Sequence, residues 1–192
     1  MKTIKENITS KYEINKSVFI TKLIKINNEE EININLEDAK KEYKDATHYC
    51  YGYILDNKQK ASDDKEPSGT AGTPILEVLN KNNLNHILCI VIRYFGGIKL
   101  GAGGLIRAYS TSVSNAIKNA ELVSLVDGYI IKIESKYDNQ SIIEKKIKDY
   151  KFKKEYFSNI TFTVECDNAL LDILKNNNIE FEIIDERKIE LN

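Results

Sequence analysis

The sequence predicts an α+β protein of two domains, and three observations carry that expectation. Apolar residues recur with a period of two in some segments and with helical spacing in others, in turn along the chain. One segment, "NHILCIVIRYF" (85–95), is a nearly unbroken apolar run, as in a strand covered on both faces. Punctuation then changes: both prolines and eight of the nine glycines precede residue 105, and neither type occurs after Gly128. That shift divides the chain into residues 1–122 and 127–192, joined near Val123–Asp127.

In the first part, "SVFITKLIKI" (17–26) reads as a strand and "EEEININLEDAKKEY" (29–43) as a weak helix rich in Ile and Asn. "ATHYCYGYIL" (46–55) is an aromatic strand. "TPILEVLNKNN" (73–83) opens a helix, with Thr73 as N-cap and Pro74 at the first helical position. After the buried strand, "GGLIRAYSTSVSNAIKNAEL" (103–122) is a long helix whose seam is Ala108, Ser112, Ala116 and Ala120, small enough to lie close on a sheet.

In the second part, "YIIKIESKY" (129–137) alternates as a strand and "NQSIIEKKIKDY" (139–150) carries a helical stripe of Ile142, Ile143, Ile147 and Tyr150. "FKKEYF" and "NITFTVEC" form a hairpin turning near Ser158–Asn159. "NALLDILKNNN" (168–178) is an amphipathic helix with Asn168 as N-cap, and "IEFEIIDERKIEL" closes as a strand. The order βαββαβ is that of a ferredoxin-like sandwich.

Composition excludes several classes. Apolar content of 42% with 30% charge is that of a globular protein. The absence of an apolar run of eighteen residues and of a signal-peptide core leads us to expect a cytoplasmic protein with no membrane partner. Cys50, Cys89 and Cys166 have neither disulfide-framework nor metal-pair spacing. A net charge of −1 argues against bulk coating of nucleic acid, and no DNA partner is expected. Residues 1–122 hold 17 basic and 15 acidic side chains, and the remainder 11 and 14, so anion binding must come from local patches.

The most unusual stretch is "RYFGGIKLGAGGLIRAY" (93–109), with Gly96, Gly97, Gly101, Gly103 and Gly104 and two of the three arginines. It links a buried strand to a helix N-terminus, where free amides favour an anion. A Walker A loop is absent, because Ala102-Gly103 stand where Lys and Ser/Thr belong. A dinucleotide fingerprint is absent too, because Ile106 replaces its third glycine. Either the glycines serve a tight connection, or Arg93, Lys99 and Arg107 around the amides cradle a phosphate of RNA or an acidic partner segment. We take the second as the expected contact surface: an open, electropositive cradle.

Three other stretches carry candidates. "SDDKEPSGTAGTPIL" (62–76) crowds Asp63, Asp64 and Glu66 beside Ser68 and Thr70. Its carboxylates suit a divalent ion, a solvated loop, or an ion pair with Arg93 or Arg107, and the ion pair is favoured over a metal. "HYCYGY" (48–53) places His48, Cys50 and Gly52 on one face and Tyr49, Tyr51 and Tyr53 on the other. The tyrosines suit base stacking or packing under a helix, with packing favoured, and His48–Cys50 suits a nucleophile pair or a buried thiol. "KKIKDYKFKK" (145–154) sets Lys145, Lys146, Lys148, Lys151, Lys153 and Lys154 against Asp149 alone, a possible second basic contact.

"ATHYCYGY", "SDDKEPSGTAGTPIL" and "VIRYFGGIKLGAGGLIRAYS" resemble, in order and spacing, the signature blocks of the impact family, also called the YigZ family, over residues 16–122. The resemblance implies a βββαβα domain like a small-subunit ribosomal protein's second domain, followed by the ferredoxin-like domain of bacterial members. The pair is similar to the last two domains of elongation factor G. Lys65 stands where the family usually has Gly, and Tyr49 and Gly52 depart from its usual Asn and Ala. Eukaryotic members regulate translation by restraining the kinase that answers amino-acid starvation, a pathway bacteria lack.

The function expected is a non-enzymatic cytoplasmic regulator of translation that binds the ribosome, RNA or a translation-associated protein, with no cofactor and no metal. The alternatives are a metal-assisted hydrolase or nucleotide-handling enzyme built on Asp63, Asp64 and Glu66, and a purely protein-binding module.

Overall fold

The computed structural model describes residues 1–191, and the chain forms two units, residues 1–123 and 124–192. The first contains strands β1 (Lys2–Ile4), β2 (Ile8–Ile14), β3 (Ser17–Lys25), β4 (His48–Leu55), β5 (Lys58–Ser62) and β6 (Ile87–Tyr94). Its helices are α1 (Glu30–Glu42), α2 (Gly72–Lys81) and α3 (Gly101–Lys118). An antiparallel sheet runs in the order β2-β3-β6-β4-β5.

The central strand β6 is apolar on both faces because both are covered. Cys89 and Val91 meet Ile75, Leu79, Ala108, Val113 and Ala116 of α2 and α3. Leu88, Ile90 and Ile92 meet Ile32 and Ala39 of α1. Tyr49, Tyr51 and Tyr53 lie on that second face, packed with α1, so the row is structural and does not form a stacking platform. The small seam of α3 lets Ser112 Oγ come within 2.5 Å of Thr21 Oγ1 on β3.

Helix α2 starts at Gly72, and its cap is not Thr73 but a distant carboxylate: Asp63 Oδ1 accepts from the N–H groups of Ala71 and Gly72 at 3.0 and 2.8 Å. This approach needs glycine at 72, where a Cβ would lie 2.7 Å from the Ser62 nitrogen. A local Ser/Thr cap becomes unnecessary once those donors are met from outside.

β7 (Leu122–Ser135) begins at the end of the first unit and includes residues 123–127, where the sequence places the junction. The second unit adds α4 (Gln140–Ile147), β8 (Lys151–Tyr156), β9 (Ile160–Cys166), α5 (Asn168–Asn176) and β10 (Glu182–Leu191). Its strands run antiparallel in the order β10-β7-β9-β8, the ferredoxin-like arrangement. Ile131, Ile133, Phe162 and Val164 face Ile143, Ile147, Leu170 and Leu174 of the two helices. The cap of α5 is Asp167, which accepts from Leu170 N–H at 3.1 Å, one residue before the expected Asn168.

Candidate functional site

The site is at the last rung of the first sheet. Register places Phe19 of β3 and His48 of β4 on either side of Arg93 of β6, all on the face that α2 and α3 cover. Arg93 is 5% exposed and Glu66, from the loop before α2, 7%. Arg93 Nη1 donates to Glu66 Oε1 at 2.5 Å. The guanidinium carbon lies 5.5 Å from the Phe19 ring centre and 5.6 Å from that of Phe95, so aromatic faces hold the fork on either side.

Glu66 Oε1 also accepts from the Tyr109 hydroxyl at 2.9 Å, and that hydroxyl lies 3.3 Å from Cys50 Sγ. Burial pushes the Tyr109 phenol far up, with further upward contributions from Cys50 and Glu66. Burial likewise raises Cys50 to about 12, against a lowering by the hydrogen bond with Tyr109, so at neutral pH it is a thiol donating to the Asp63 carbonyl at 3.0 Å. His48 Nδ1 lies 2.8 Å from the Asp64 carbonyl oxygen, and Nε2 faces Glu66 Oε1 at 3.8 Å. The His48–Cys50 pair is therefore not a nucleophile with its base.

The acidic block does not converge on a point. Asp63 accepts three backbone N–H bonds, from Gly69, Ala71 and Gly72. Asp64 Oδ2 accepts from Tyr49 N–H at 2.6 Å, and Glu66 takes Arg93 and Tyr109. Among the described residues no group of three His, Cys, Asp or Glu is placed to hold a metal ion. Thr70 is buried, with its hydroxyl on the Pro67 carbonyl, and Ser68 is exposed.

A cleft of about 430 Å³ opens over this pair, lined by Thr47, His48, Glu66, Pro67, Arg93, Phe95, Lys99 and the Leu100–Ala102 start of α3, with Leu105 behind. The loop from 95 to 100 is tied down at its root. Gly96 N–H donates to Ser17 Oγ at 3.2 Å, and a Cβ on Gly96 would fall 2.0 Å from the Lys16 carbonyl carbon. Gly97 and Gly101 take φ of +83° and +69°. Gly103 and Gly104 belong to the first turn of α3.

The expectation of an open cradle of three cations is thus corrected at Arg93, which is buried against Glu66. Lys99 and Arg107 are exposed, and among the described residues no carboxylate pairs with either. The lysine run does not form one patch. Lys145 and Lys146 end α4, and Lys148 follows that helix. Lys151 and Lys153 project from one face of β8 and Lys154 from the other, where it bonds Glu144 at 2.8 Å.

Sequence reasoning missed Phe19, Phe95, Tyr109 and the apolar wall of Pro67, Leu100 and Leu105. Tyr109 carried a legible signal: it is the one aromatic among the buried residues of α3.

The Impact N-terminal domain family matches residues 15–117. IMPACT family member YvyE of Bacillus subtilis (strain 168) is 39% identical over 189 residues, 97% of this chain and 80% of its own. IMPACT family member YigZ of Escherichia coli (strain K12) is 40% identical over 116 residues, 58% of this chain and 57% of its own. A crystal structure of a hypothetical protein is similar with a TM-score of 0.67 and 27% identity, covering 95% of each chain. With the Impact domain spanning more than half of its residues and a relative aligned along almost its full length, the chain belongs to the IMPACT family.

Proposed function

We propose that this protein is a non-enzymatic, cytoplasmic regulator of translation that docks on the ribosome, on RNA or on a ribosome-associated protein through the rim of the first unit's cleft. The observation that carries the reading is the rim itself. Phe95, Ile98 and Ile106 are 46%, 44% and 41% exposed, interleaved with the exposed cations Lys99 and Arg107, on a loop and helix start anchored at Gly96. Apolar and cationic groups displayed together on a fixed support suit recognition of a partner surface. Family membership supports translation as the setting.

The hydrolase alternative needs Asp63, Asp64 and Glu66 to act together, whereas each holds a separate internal partner. Among the described residues no helix is long and apolar enough to cross a membrane.

The test is sedimentation with purified ribosomes, comparing wild type with Lys99→Glu/Arg107→Glu. Wild type should co-sediment, weakening with salt, and the variant should stay at the top of the gradient. Equal sedimentation of the two, or none by wild type, contradicts the reading.

A further inference from the structure

We infer that the cleft at the first turn of α3 binds a carboxylate borne by a peptide segment with an apolar neighbour, making it a docking pocket for an acidic protein segment. The inference names the partner class for the rim surface proposed above and rests on that reading.

The first argument is an unmet donor. Arg93 lines the cleft, is more than nine-tenths buried, and keeps its Nε N–H without an acceptor, although Nη1 is bonded to Glu66. Buried polar groups are almost always paired, so an orphaned donor on a guanidinium clamped between Phe19 and Phe95 marks a place for an acceptor.

The second argument is electrostatic. The N-terminus of a helix carries partial positive charge and favours acidic neighbours. Helix α3 has eighteen residues, no acidic residue in its first turn and no side-chain cap. Its surroundings are cationic instead: Lys99 lines the cleft, and Arg107 Nη1 reaches back to 3.8 Å from where a Gly103 Cβ would stand. Cations gathered at the positive end of a helix repel it until an anion enters.

The third argument selects the ligand. Pro67, Phe95, Leu100, Ala102 and Leu105 give the cleft an apolar wall, and its volume suits one or two side chains. Among the described lining residues Lys99 is the one exposed cation, with Arg107 further along α3, too few to follow a polynucleotide's repeated phosphates, and the Glu66 carboxylate in the lining opposes a polyanion. A lone carboxylate beside an apolar side chain satisfies the amides, the guanidinium and the wall together. An Asp or Glu side chain and a chain-terminal carboxylate offer the same chemistry.

The experiment is a titration of the ¹⁵N-labelled full chain, followed through the amides of residues 101–104 and the Arg93 Nε–H. The probes are acetyl-Phe-Glu-Leu-amide, acetyl-Phe-Gln-Leu-amide, acetyl-Phe-Leu with a free C-terminus, and oligouridylate. A carboxylate probe should shift those signals with affinity at least about tenfold above the Gln peptide, and the better of the two acids identifies the source. Ala102→Glu, which puts the chain's own carboxylate at the exposed helix start, should weaken the response to the carboxylate probes at least about tenfold more than the isosteric Ala102→Gln does. Equal response to Glu and Gln peptides, response to oligouridylate alone, no response, or indifference to Ala102→Glu each overturns the inference. Loss of ribosome sedimentation with peptide binding intact would sink the translation reading and leave the pocket standing.

Discussion

Arg93 Nη1 donates to Glu66 Oε1 across 2.5 Å, joining the end of β6 to the loop that precedes α2. Both side chains are more than nine-tenths exposed-surface-free, and the Tyr109 hydroxyl completes the acceptor side of the pair. Two consequences of different kind meet here: the pair fixes the floor of the cleft, and it removes Arg93 from the outer surface.

Removing one member leaves the other charged and buried. Glu66→Ala should lower unfolding free energy by about 3–5 kcal/mol. Arg93→Met/Glu66→Leu should recover most of that loss, because two buried charges disappear together. Urea denaturation of the single and double variants measures both. A double variant as unstable as Glu66→Ala would contradict the assignment.

Asp63 is the pH-sensitive part of the same loop. Burial acts to raise its pKa, but the N–H groups of Gly69, Gly72 and Ala71 together outweigh that and hold it below its ordinary 3.8. A carboxylate depressed in the folded state contributes stability that is present above the unfolded pKa and lost as pH falls through the folded one. Wild type should therefore lose stability below about pH 4. Asp63→Asn should flatten that part of the profile while costing about 1–3 kcal/mol at neutral pH. Thermal melts across the acid range check the sign.

Much of this was legible from residue patterns, and the misses have physical causes. The apolar run at 87–92 announced a strand covered twice, and the small seam of α3 announced close packing on a sheet. β1, β2 and β5 were not read: β5 (KQKAS) is polar, with three exposed residues, and β1 has only three residues. The caps failed for an instructive reason. Thr73 fits the N-cap preference, but Asp63, ten residues earlier, had already taken the donors that a cap would serve. The ion pair was among the expected uses of the acidic block. Its depth was not, because burial of Arg93 depends on rings from β3 and on Phe95 folding over it.

Backbone conformation accounts for the glycine usual in the family at position 65 and gives the lysine here a cost. Lys65 has φ of +69°, directly after Asp64 at +40°, a left-handed region that glycine enters freely. Lys65→Gly should stabilise the protein by about 1 kcal/mol. Gly96→Ala should do the opposite, costing about 1–3 kcal/mol or more, since its Cβ would collide with the Lys16 main chain. Denaturation midpoints decide both signs.

The cysteines should be silent in the folded protein. Cys50, Cys89 and Cys166 are all buried, and burial raises Cys50 and Cys166 to about 12 and Cys89 higher still. Thiolate-selective reagents should label none of them under native conditions and all three in denaturant, by mass spectrometry. Native labelling of Cys50 would show that the loop from Asp63 to Glu66 opens.

That silence allows a single probe to be placed at will. A photo-crosslinker on Ile98→Cys stands at the exposed rim, and one on Lys81→Cys stands at the end of α2, toward the opposite end of β6. Irradiation with ribosomes should crosslink ribosomal RNA or a ribosome-bound protein from position 98 and not from position 81. No product from 98, or equal products from both, would contradict the claim that this rim is the docking surface.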